Sequence, residues 1–239
     1  VAQMDLCLEK YRRLGARRWV IQDPGVMCLC YSAWGKWELG FPDQALQRAR
    51  RVVMLAEKAN HKFSMAEAYG FGASVHHFRG ENREALKYAD RAIGICEESG
   101  FSVWLAHARL MRGRALAEQE DVERGVAEMK EAYGLWAATG AVVTVPFHLA
   151  LRAEGLALAG RPAEGLALVQ TAYDVICRYG ERYYEAEVMR LMGELLLQVK
   201  QDNSGWDEAE TWMRKAMECA RQRQLRGLTL RSAISLARL

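Results

Sequence analysis

The chain has 239 residues, of which 51% are hydrophobic and 26% charged, a balance that excludes a polar disordered chain. Its 33 Lys and Arg stand against 30 Asp and Glu, and the resulting +3 is too small for a nucleic-acid footprint. No signal peptide is read and no run of about 18 apolar residues occurs, so no membrane span is expected.

Only four prolines occur, and β-branched residues are sparse beside Ala, Leu, Glu and Arg, which is a helix-forming composition. Residues 2–14 read as the second helix of a preceding unit. The chain opens at Val1 inside that pattern and is expected to be an excerpt of a longer protein. Two kinds of helix then alternate. Helix A is expected at roughly 26–39, 63–79, 103–119, 146–159 and 182–200. Helix B is expected at roughly 42–59, 82–99, 121–139, 162–179 and 206–223, and a last helix A at roughly 227–238. The A-to-B turns carry breakers, Gly40-Phe41-Pro42-Asp43, Gly80-Glu81-Asn82 and Gly160-Arg161-Pro162, with Pro42 and Pro162 in a first turn that tolerates a missing N–H. The polar stretch Gln201–Gly205 is expected to be the longest loop.

Small residues recur through these elements at a step of 40: Ala33, Ala73, Gly113, Ala153 and Gly193 in helix A, and Ala45, Ala85, Gly125 and Gly165 in helix B, reaching Ala209 after a four-residue insertion. Asn60, Gly100, Gly140 and Gly180 repeat at the same step where helix B must stop. A small residue lets two helices cross at the usual axial separation of about 8–10 Å, and stacked neighbours bury what one pair cannot. The expected fold is all-α: a right-handed superhelical solenoid of antiparallel helix pairs, with about five 40-residue repeats. The whole of 1–239 reads as one array, with 1–20 closing a preceding unit, repeats at 21–60, 61–100, 101–140, 141–180 and 181–224, and a terminal helix at 225–239.

Catalytic chemistry finds no support. The six cysteines, Cys7, Cys28, Cys30, Cys96, Cys177 and Cys219, form no CxxC pair or Cys/His cluster, and read as buried free thiols of a reducing cytosol. Gly35-Lys36 lacks the upstream glycine of a phosphate loop, and Gly70-Phe71-Gly72 follows no strand. His76 and His77 point about 100° apart on a helix and cannot share a metal. No enzyme activity, cofactor or metal is expected.

The small-residue pairs twelve apart, Ala33/Ala45 and Ala73/Ala85, and the block Gly-x-x-x-x-Ala-Leu at Gly40–Leu46 and Gly80–Leu86, resemble the tetratricopeptide repeat. A period of 40 exceeds that repeat's usual 34 or so, which implies about three extra residues, near one turn, in each helix. This longer form is similar to the repeat region of bacterial signal-transduction ATPases, including maltose-type activators. The segments Gln22–Val26, Leu39–Leu46, Gly113–Gln119, Gly180–Glu187 and Ser235–Leu239 resemble, more closely, the C-terminal helical-repeat region of bacterial regulators that join an adenylate/guanylate cyclase domain to an ATPase domain. That resemblance implies a bacterial, cytoplasmic regulatory module and carries over no catalytic residue.

In tetratricopeptide arrays helix A lines a concave groove, and the resemblance implies groove-facing positions at −6, −3, +1 and +4 from the small residue of helix A. The resulting candidates are Trp34, Trp37 and His77 at one end, His107 and Arg114 in the middle, and Glu154, Glu187, Arg190 and Glu194 at the other. An aromatic end beside a charged end suits a peptide or partner helix. Each candidate has a plainer reading. Trp34 and Trp37 can pack on a preceding repeat or domain, His107 can satisfy a neighbour, and Arg190 can pair with Glu187 or Glu194. Tyr183 and Tyr184 divide between core and surface, and Arg221, Arg223, Arg226 and Arg231 read as a solvated helix end. Two functions follow: a non-enzymatic scaffold that binds a partner protein, a peptide or domains of its own parent chain, or a sensor of a small-molecule effector. No nucleic-acid or membrane partner is expected.

Overall fold

The computed structural model describes residues 1, 3–6, 9, 22–119, 121–200 and 205–239. Every regular element among them is a helix. In chain order these are α1 Pro24–Glu38, α2 Pro42–Ala59, α3 Lys62–Phe78, α4 Asn82–Ser99, α5 Ser102–Ala117, α6 Val122–Ala138, α7 Val145–Leu158, α8 Pro162–Tyr179, α9 Glu185–Val199, α10 Trp206–Gln222 and α11 Arg226–Ala237. Odd-numbered helices are the expected helices A and even-numbered ones the helices B. Helices 42–59, 82–99 and 162–179 fall on their expected bounds, and the others begin or end within three residues of them. The expected helix at 2–14 and the loop at 201–205 lie mostly outside the described residues.

Local chemistry explains the boundaries. Asp23 caps α1, its carboxylate accepting from the N–H groups of Gly25 and Val26 at 2.7 and 3.2 Å. Pro42 and Pro162 open α2 and α8. Helices α2, α4 and α8 stop in the left-handed region at Asn60, Gly100 and Gly180, with φ of 48°, 73° and 70°, where a missing Cβ or a short amide side chain is tolerated.

The chain divides into two compact units, Val1–Ala115 and Leu116–Leu239. In the first, α1 packs on α2, α3 on α4, and α1 also on α3. In the second, α7 packs on α8 and α9 on α10, while α7, α9 and α11 touch in succession. The small-residue crossings are real contacts. A Cβ added to Gly165 would stand 2.9 Å from the Ala153 carbonyl oxygen, and one added to Gly193 2.8 Å from that of Ala209. Both pairs belong to the 40-residue series, the second across the four-residue insertion.

Helices A and B differ in how they are covered. Helix B is amphipathic: in α2 only Ala45, Ala49, Val52, Val53 and Ala56 are buried, one stripe of a polar helix. Helix A is covered on nearly every side, as α3 is from Ser64 to Phe78 with few interruptions. Cys28, Cys30 and Cys96 are buried as expected, but Cys177 is exposed and Cys219 partly so. The last two lie on helices B, where an apolar run still turns one face to solvent; Cys7 lies outside the described residues.

Candidate functional site

The candidates gather into two groups, one in each unit. In the first unit Trp34 of α1 is 2% exposed. Its ring lies 4.4 Å from Phe71 and 5.9 Å from Phe78 on α3, and 6.1 Å from His107 on α5. Trp37 stacks on Phe78 at 4.4 Å with 21° between the rings. Trp104 completes the cluster, 5.6 Å from Phe71 and 5.9 Å from His107. These described ring contacts run forward along the chain, to the following helices A. His107 is buried, with Nε2 3.1 Å from Ser74 Oγ, and burial pushes its pKa down to about 4, partly offset by the Gly70 backbone. It is therefore neutral near pH 7. Arg114 is buried two turns further along α5, and His77 is half-buried beside Phe78.

One further group in this unit is chemically unusual. Glu67, on the same −6 register as His107, is fully buried, and its Oε1 accepts from Gln22 Nε2 at 2.6 Å. Burial pushes its pKa up to about 7; the Gln22 hydrogen bond opposes this and Asp23 adds to it.

The second unit holds an ionic network. Arg190 grips Glu187 with two bonds, Nη2 to Oε1 at 2.7 Å and Nε to Oε2 at 3.1 Å. Its Nη1 also pairs with Glu194 and donates to Ser235 Oγ at 3.2 Å, and Ser235 in turn donates to Glu194 at 2.6 Å. Arg231 of α11 reaches Glu187 at 2.8 Å and Glu154 of α7 at 3.7 Å. Burial alone would raise the Glu187 pKa, but the charges of Arg190 and Arg231 and the bidentate bond overcome it and hold the carboxyl low. Tyr184 lies buried beside this network, its phenol pushed well up by burial and by Glu187, while Tyr183 keeps partial exposure.

All four candidates of the charged end thus meet in one network, and Arg190 pairs with both carboxylates named as alternatives. The −6 register is buried at Glu67, His107, Phe147 and Glu187, and the −3 register at Cys30, Gly70, Leu110, Ala150 and Arg190. Partial exposure remains at His77, Glu154 and Glu194. One reading needs correction, at two of its four residues. Arg231 is no solvated helix end, because α11 packs back on α9 and delivers its guanidinium to Glu187. Arg223 likewise pairs with Glu185 and donates to the Arg182 carbonyl at 2.7 Å, whereas Arg221 and Arg226 are exposed. Sequence reading also passed over Phe71, Phe78, Trp104 and Ser235. Phe71 stands at −2 from Ala73, between the registers that were counted. Among the described residues no set of three His, Cys, Asp or Glu side chains is placed to hold a metal ion, and no helix is long and apolar enough to cross a membrane.

No protein-family model matches the sequence, and no curated protein matches it. Solved structures do. A thermophilic tetratricopeptide-repeat protein of Thermus thermophilus superposes with a TM-score of 0.59 at 19% identity, over 89% of this chain and 99% of that one. A signal-transduction ATPase with numerous domains and a tetratricopeptide-repeat sensor, from Pyrococcus horikoshii, superposes with a TM-score of 0.55 at 16% identity. That match takes in 98% of this chain but 35% of the archaeal one. The paired helices, the small-residue crossings and these superpositions together show a tetratricopeptide-like helical-repeat fold.

Proposed function

We propose that this chain is a non-enzymatic interaction module of a bacterial, cytoplasmic signalling protein, binding a partner protein, a peptide or a neighbouring domain of its own parent. The observation that carries this reading is the fold itself, successive helix pairs of the tetratricopeptide-like kind. The multidomain ATPase that matches 98% of this chain is consistent with a place in a larger regulator, as is the resemblance to cyclase–ATPase fusions. His77, Glu154 and Glu194, the candidates with partial exposure, are assigned to partner contact. Trp34, Trp37, His107 and Arg114 in the first unit, and Glu187 and Arg190 in the second, are buried and are assigned to holding the helices that carry those residues.

The test is affinity capture by the tagged chain, run beside the variant His77→Ala/Glu194→Gln after its melting temperature is checked. A protein retained in stoichiometric amount by the parent chain and lost from the variant supports the reading. No retained protein, or equal retention by both, contradicts it.

A second reading is effector sensing, favoured by the likeness to a Pyrococcus horikoshii protein described as having a tetratricopeptide-repeat sensor. A metabolite screen by thermal shift separates the two. A reproducible shift that Trp37→Ala removes favours sensing, and its absence beside a captured protein favours the scaffold.

A further inference from the structure

Between α6 and α8 the second unit opens into a cleft of about 340 Å³. Its floor is apolar, from Val126 and Met129 of α6, Leu156 of α7 and Leu168 of α8. A volume at the lower end of ligand pockets takes two or three side chains. At one end Arg161 and Glu164 neutralise each other through two bonds of 2.6 and 2.8 Å.

Arg152 of α7 also lines the cleft and is treated differently. Its guanidinium lies over the Tyr133 ring, Cζ 4.8 Å from the centroid. Among the described residues no carboxylate pairs with it, and burial pushes its pKa down, opposed only by Tyr133. Lys130 lines the same cleft near enough to Glu164 to lower that carboxyl's pKa, without an ion pair of its own among the described residues. A half-buried guanidinium with one face stacked and its edge unpaired is preorganised for a carboxylate.

The chain contains its own comparison. Arg152, Leu156 and Leu168 stand 80 residues after Gly72, His76 and Tyr88. In the first unit Tyr88 fills this place, its ring 4.6 Å from His76, and a Cβ on Gly72 would come within 2.5 Å of that ring. In the second unit leucine replaces the tyrosine and arginine the glycine. The plug is gone, and a cation stands beside the space it leaves.

We infer that this cleft seats an acidic–aliphatic segment of a partner protein, with an Asp or Glu carboxylate on Arg152 and the adjoining aliphatic side chains on Val126, Met129, Leu156 and Leu168. The inference rests on the interaction-module reading and adds a second seat, between the helices B α6 and α8 and floored by the helix A α7. Glu123 also lines the cleft, so Arg152 and Lys130 leave it one net positive charge, which disfavours a cationic segment, and a wholly apolar one would leave the guanidinium without an anion.

The test follows the methionine methyl signals of the 239-residue chain by NMR during titration with an acetylated, amidated hexapeptide of alternating leucine and glutamate. The leucine–glutamine counterpart and hexanoate are titrated in parallel. The Met129 methyl is expected to shift saturably with the glutamate peptide and at least about tenfold more weakly with the glutamine peptide. Arg152→Gln should weaken the glutamate peptide by a similar factor. Arg152→Gly/Leu168→Tyr, which rebuilds the plug of the first unit, should abolish binding while the melting curve stays cooperative. Equal binding of both peptides, or an unweakened Arg152→Gln, overturns the proposal. Hexanoate binding as tightly as the peptide also overturns it, in favour of a small free acid. Movement of other methionine methyls without Met129 removes this cleft but leaves the module reading standing, and silence of all of them removes the cleft while capture decides the module separately.

Discussion

Arg231 of α11 lies 2.8 Å from Glu187 of α9, and the same guanidinium stands 3.7 Å from Glu154 of α7, so one side chain ties three successive helices A. In the first unit Trp34 of α1 does the same with rings, against Phe71 of α3 and His107 of α5. Each unit therefore fills the space between its successive helices A with its own side chains. One clasp is ionic and the other aromatic, and their removal has different consequences.

Glu187→Gln leaves Arg190 and Arg231 facing each other without the carboxylate between them. The expected loss is about 3–5 kcal/mol, read from urea denaturation, because a buried charge pair broken on one side strands the other. Arg231→Leu combined with Glu187→Leu should cost less than the sum of the single changes. A loss below about 1 kcal/mol for Glu187→Gln would mean that the network is solvated and weak.

Trp34→Ala removes the ring shared by three helices A and opens a cavity lined by Phe71, Phe78 and His107. The expected destabilisation is about 3–5 kcal/mol by the same measurement. A near-neutral result would place the indole outside the core.

His107 and Glu67 titrate in opposite senses. His107 holds a folded pKa of about 4 against an ordinary 6.5, so its contribution is complete above pH 6.5 and is lost as pH falls toward 4, by about 3 kcal/mol. Glu67 holds about 7 against 4.5, so its contribution is complete below pH 4.5 and is lost as pH rises through 7. Denaturation across pH 4–8 should show His107→Gln flattening the acid limb and Glu67→Gln the neutral one. Parallel curves for parent and variants would contradict both assignments.

Glycines in this fold divide by what a methyl would meet. Gly165→Ala drives a Cβ to 2.9 Å from a backbone oxygen of Ala153 and should destabilise by about 1–3 kcal/mol. Gly94→Ala and Gly134→Ala, in helix interiors with nothing within 4 Å, should stabilise by about 0.5–1 kcal/mol. Thermal melts of the three variants test the opposite signs together.

The helices were legible because the 40-residue step repeats both crossing residues and stops: Ala153/Gly165 and Gly193/Ala209 cross, and Asn60, Gly100 and Gly180 terminate. The chemistry between the helices A was legible only in part. Counting registers found Trp34, His107, Glu187 and Arg190, but burial depends on what the next helix A supplies, and that partner lies roughly one repeat away. Arg231 shows the difficulty: beside Arg226 and Arg223 it reads as surface charge, and only the return of α11 onto α9 reveals Glu187 as its partner. The cleft was invisible for the same reason, since Leu168 for Tyr88 is an ordinary apolar exchange until Arg152 is seen beneath it.

The interaction-module reading meets its most direct test in calorimetric titration of the purified chain with the protein it captures. A saturable, stoichiometric complex, weakened at least about fivefold by His77→Ala/Glu194→Gln without a change in fold, is the expected result. A chain that captures no protein, or that alone turns over a substrate, would contradict it.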